Sequence, residues 1–102
     1  MAMHNPPHPG EFIKETYLEP FNLSQNKVAD RLGIAHSTFN RLIRGLNSVS
    51  PEMAVRLSKV LGRTAESWLN LQSNYDLYNA HLKPERFKKL EKINFSRLSC
   101  QG

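Results

Sequence analysis

The sequence has one cysteine, Cys100, so no internal disulfide can form and the thiol reads as a free surface group. No apolar run approaches the ~18 residues of a membrane span, and the opening MAMHNPPHPG has none of the apolar core of a signal peptide. The expected location is therefore cytoplasmic, without membrane contact. Catalytic signatures are missing as well: there is no GxSxG, no glycine-rich phosphate loop, no CxxC and no HExxH. His36 and His81 have neither a nucleophile nor an orienting acid in their own segments, and the carboxylates are scattered over helix surfaces. No enzyme and no cofactor are expected. His4 and His8 are four apart, but Pro6 and Pro7 stand between them and no Cys or acidic ligand is near, so no metal is expected either.

Negative charge is scarce in one stretch. From Ser24 to Ser48, Lys27, Arg31, Arg41 and Arg44 face Asp30 alone, a net of +3. A phosphate backbone repels carboxylates, so a surface that meets DNA has this bias. The chain's total of +5 says less: residues 83–102 hold six cations against two carboxylates, and residues 1–82 carry only +1. At 102 residues and 39% hydrophobic content, one small domain is expected.

What the basic stretch contains is SQNKVADRLGIAHSTFNRLIRG, residues 24–45. Val28, Ala29 and Leu32 form one apolar helical face, and Phe39, Leu42 and Ile43 form another. Gly33 lies between them, able to take positive φ and turn the chain sharply, which makes a helix-turn-helix. The opposite face of the second helix then carries His36, Ser37, Thr38, Asn40, Arg41 and Arg44, side chains suited to base edges and phosphates. The plain alternative is a solvated polar face. Ala35 is a poor cap for this helix; Ser37 is the alternative start. After Gly45, Asn47 and Ser48 offer donors to a phosphate.

The rest braces this unit. Residues 1–8 read as a flexible segment with prolines at 6 and 7. Pro9 opens a first helix with Ile13, Tyr17 and Leu18 inward, ended by Pro20, and Phe21 and Leu23 are expected as core plugs. Ser50-Pro51 starts a fourth helix with Met53, Ala54, Leu57, Val60 and Leu61 on its apolar face, and Thr64 caps a fifth. That fifth helix is richer in apolar and aromatic residues than a core this small requires. It is either a fully used core helix or one that offers Trp68, Leu71, Tyr75 and Tyr78 as a dimer or partner surface. Residues 83–102 form either a short sixth helix, from the spacing of Phe87, Leu90 and Ile93, or a basic tail.

The fold class is all-α, a compact five-helix repressor-like domain over residues 9–82. The segments HPGEFIKETYLEPFNLSQ, SQNKVADRLGIAHSTFNRLIRG and SPEMAVRLSKVLGRTAESWLNLQSNYDL resemble the HigA/VapI type of antitoxin, within the phage-repressor-like helix-turn-helix proteins. The resemblance covers roughly residues 8–78, with WLNLQ and YDL its most specific parts. It implies a homodimer, binding to the operator of its own operon, and direct neutralisation of a HigB-like mRNA-cleaving toxin. It also implies a phosphate contact for Gln25, base-facing positions for His36, Ser37, Thr38 and Arg41, and a near-backbone position for Arg44. The sequence departs from the pattern at Arg44-Gly45-Leu46-Asn47, where many relatives have Asn-Gly and then a basic residue. A dimer would read two half-sites about 34 Å apart, so the expected partner is palindromic double-stranded DNA. Two other readings are a regulator with no toxin, and a protein-interaction module whose polar helix never meets DNA.

Overall fold

A computed structural model describes residues 5–95, which form five α-helices and no strand among the described residues. Helix α1 (Pro9–Ile13) begins at Pro9, whose ring fixes φ where the first helical N–H would be unpaired in any case. It runs without a break into a π-helical turn over Lys14–Leu18, closed by the Glu19 N–H donating to the Lys14 carbonyl at 2.9 Å. Pro20 follows, and the chain turns. Helix α2 (Gln25–Leu32) starts at Ser24, whose hydroxyl accepts from the Lys27 N–H, and ends at Gly33 with φ of 73°. That left-handed conformation is the tight turn the glycine supplies. Helix α3 (His36–Ile43) follows. Helices α4 (Pro51–Val60) and α5 (Ala65–His81) begin at the capping hydroxyls of Ser50 and Thr64.

The core takes Ile13 and Leu18 from the first helical stretch, Val28, Ala29 and Leu32 from α2, and Phe39 and Leu42 from α3. Ala54 and Leu57 of α4 and Trp68 of α5 complete it, together with Val49. Each large side chain so buried is worth roughly 1.5–3 kcal/mol. Two contacts fix where α3 stands. At Gly10, a β-carbon would lie 1.8 Å from the Leu42 carbonyl oxygen, so α1 crosses α3 backbone against backbone. At the end of α2, the Arg56 guanidinium donates to the Leu32 carbonyl at 2.7 Å and is held by Glu52 at 3.0 Å.

Several expectations are corrected here. Trp68 is not a partner surface: it is 0% exposed, its indole N–H donates to the Gly62 carbonyl at 2.8 Å, and Phe12 and Tyr17 pack around the ring. Phe21 and Leu23 do not plug the core; they are 68% and 42% exposed, because the turn after Leu18 carries them outward. Val60 is also on the surface, at the last position of α4. Ser37 does not shift the start of α3, which begins at His36 after an Ala35 with extended backbone and no side-chain cap. His8, expected in a flexible segment, is buried, and residues 1–4 lie outside the described residues. Between Lys83 and Asn94 the one helical element is a 3-10 turn over Pro84–Arg86, and Phe87, Leu90 and Ile93 stay exposed. Residues 96–102, with Arg97 and Cys100, lie outside the described residues.

Candidate nucleic-acid interface

Helix α3 has two edges that the sequence sets apart. Phe39 and Leu42 point inward and are fully buried, while His36, Ser37, Asn40, Arg41 and Arg44 are exposed along the other side. A helix is narrow enough for such an edge to enter a major groove. Thr38, half-buried, sits beside the inward edge. It shares a cleft of about 320 Å³ with Leu42, Asn47, Ser48, Ser50 and Met53. Thr38 and Asn47, nine residues apart in the sequence, are thus brought to one place at the side of α3. Gln25 is half-buried at the first position of α2.

The start of α3 differs from the other helix starts around it. Ser24, Ser50 and Thr64 each give a side-chain oxygen to a first-turn amide, whereas Ala35 gives none. The leading amides of α3 therefore keep their donors and the positive end of the helix dipole for an anion. The one carboxylate of the basic stretch is engaged: Asp30 Oδ1 lies 2.7 Å from Nε2 of His36. That pairing joins α2 to the head of α3 and occupies one of the two ring nitrogens with which His36 would read a base. Arg41 and Arg44 make no ion pair with either neighbouring helix, leaving two guanidiniums turned to solvent at the C-terminal half of the edge.

His8 stands at the C-terminal end of α3, against Gly45. Its Nδ1 accepts from the Gly10 N–H at 2.9 Å, and its ring meets Tyr75 edge-on with centroids 4.9 Å apart. Burial holds its pKa below the usual 6.5, opposed by a hydrogen bond to the Asn47 backbone and by the charges of Asp76 and Glu11. Gln72, also buried, accepts from the Val49 N–H at 2.8 Å and donates to Asp76 at 3.0 Å, which anchors the chain between α3 and α4 onto α5. Leu71, Tyr75 and Tyr78 are half-buried along α5. They do not join the α3 edge.

Sequence reasoning missed Arg56, His8 and Gln72 as the residues that hold this surface in place. The Glu52/Arg56 spacing of four was visible; the carbonyl that Arg56 caps, twenty-four residues back, was not. No cluster of three or more potential metal ligands occurs among the described residues, and no helix there is long and apolar enough to cross a membrane.

Comparison with known proteins agrees with this geometry. The Helix-turn-helix family model matches residues 14–69. The uncharacterised HTH-type transcriptional regulator YddM of Escherichia coli is 42% identical over 80 residues, which are 78% of this chain and 84% of YddM. Antitoxin GraA, solved in complex with its operator, superposes with a TM-score of 0.81 at 34% identity, over 92% of this chain and 97% of GraA. The Pseudomonas aeruginosa antitoxin HigA, solved with the higBA promoter, gives a TM-score of 0.79 at 31% identity, over 87% and 99%. These are DNA-binding regulators and antitoxins rather than members of an enzyme family. With the match spanning more than half its length, and the GraA and HigA folds reproduced along nearly all of theirs, the chain belongs to the Helix-turn-helix family and is similar in fold and sequence to the HigA-type antitoxins.

Proposed function

We propose that this protein is an antitoxin that binds the operator of its own operon as a homodimer, represses it, and neutralises a HigB-like mRNA-cleaving toxin by direct contact. The observation that carries the DNA-binding part is the exposed edge of α3: five hydrogen-bonding or cationic side chains in line, no carboxylate among them, on a helix whose other edge is locked in the core. The operator complexes of GraA and HigA support extending that edge to DNA. Within it Arg41 is the base reader, since a guanidinium can donate in two-pronged fashion to guanine O6 and N7. Gln25, Arg44 and Asn47 contact phosphates, while His36, Ser37, Thr38 and Asn40 reach base edges.

One short helix is too little for tight specific binding, so two copies are required. The second half of α5 suits that contact: beyond Gln72 none of its residues is in the core, and Leu77 and Leu82 are exposed beside the half-buried Tyr75 and Tyr78. The similarity to YddM, known only as a transcriptional regulator, supports a second reading in which no toxin is bound.

A gel-shift titration against the DNA upstream of the gene and a scrambled control, at two salt concentrations, tests the first part. Tight upstream binding that Arg41→Ala weakens by about 1–3 kcal/mol, with less effect on the control, is the expected result. Equal weakening on both probes would remove Arg41 from base reading. Co-purification of the product of an adjacent small gene with this protein distinguishes antitoxin from plain regulator.

A further inference from the structure

Resting on the DNA-binding reading above, we propose that His8 is a positioning residue for DNA recognition, holding residues 45–47 so that Asn47 meets a phosphate beside α3. The His8 ring bears on two segments at once. Nδ1 accepts the Gly10 N–H at 2.9 Å, and the ring lies against Gly45, with the backbone of Asn47 next along the same loop. A helix cap alone needs only an acceptor. Serine and threonine serve at α2, α4 and α5, each with one short bond to its own helix. At α1 the cap is an imidazole, whose ring extends past the helix and packs on the loop that follows α3.

The surroundings hold the ring there. It is 6% exposed, Tyr75 of α5 packs edge-on against it, and its Cγ lies 3.7 Å from where a β-carbon on Gly45 would be. The helix that His8 caps touches the last turn of α3 through Gly10 and Leu42, so both ends of the clamp bear on α3. The charges that reach the ring are Glu11 on α1 and Asp76 on α5, while the loop contributes the neutral backbone of Asn47. From there Asn47 lines the cleft it shares with Thr38 and Ser48.

The test uses His8→Asn in the full chain. Its amide still offers an acceptor to the Gly10 N–H but is too small to fill the imidazole's place against Gly45. The expected result is a melting temperature near that of the wild type, backbone amide exchange at residues 45–48 faster by about tenfold in the free protein, and upstream DNA bound roughly tenfold more weakly, the loss of one hydrogen bond to a charged group. In an Asn47→Ala background the same substitution should cost little more, because the contact it positions is already gone. His8→Ser, the cap used at α2 and α4, is a second variant with the same expectation. Unchanged exchange and affinity would make His8 a cap only and overturn the proposal, as would losses that multiply fully with Asn47→Ala, or both variants melting far below the wild type. If the wild type itself ignores upstream DNA, the DNA-binding reading fails, and the exchange measurement still decides whether His8 holds the loop.

Discussion

His8 makes the protein's stability depend on pH in a direction that can be worked out. Burial lowers its pKa in the folded state, so the unfolded chain binds the proton more readily. Stability is full above the unfolded value of about 6.5 and falls as the pH drops below it toward the lowered folded value. Protonation also converts Nδ1 from the acceptor of the Gly10 N–H into a donor facing it. The urea midpoint should therefore be lower at pH 5.5 than at pH 7.5, with a smaller drop in His8→Asn; the same drop in both would clear His8 of the effect. Little of this was legible beforehand. A histidine four residues from another between prolines suggests a mobile arm, and its burial comes from Tyr75, sixty-seven positions along, and from a loop that no local pattern points to. The exposed residues of α3 were legible, since a period of 3.6 with Phe39 and Leu42 inward fixes the outward set. The Asp30 partner that His36 takes was not.

Helices were the most legible part of the chain. Ser24, Ser50-Pro51 and Thr64 announce the starts of α2, α4 and α5, and Gly33 the turn, because these signals act within a few residues. What local signals do not carry is how a helix is laid on its neighbours. Phe21 and Leu23 look like core residues and are not, because the π turn and the bend at Pro20 set their direction. Gly10 looks like filler after Pro9, yet α1 can approach α3 only because it has no side chain. Gly10→Ala should destabilise the fold by about 3 kcal/mol, at the upper end for overpacking, since the obstacle is backbone that cannot rotate away. Urea unfolding measures it, and a change under about 0.5 kcal/mol, typical of a surface site, would mean that the two helices stand further apart than described.

For the molecule entire, charge and shape divide the labour. The net +3 of residues 24–48 lies on the helix-turn-helix, while the larger positive charge of residues 83–102 begins after α5 has left the core. Deleting residues 84–102 should leave the slope of log affinity against log salt unchanged for upstream DNA, because each phosphate contact contributes about 0.9 to that slope and the contacts proposed above all lie between Gln25 and Asn47. A slope reduced by two or more would place the tail on the DNA as well. The crossing at Gly10 has a consequence for how such proteins diversify. Because α3 is braced there by main chain on main chain, its outer edge is free of that task except at His36, which pairs with Asp30. The lettering of that edge can drift from one operator to another while the mount stays the same, so a lineage can acquire new addresses in the genome without first rebuilding its fold.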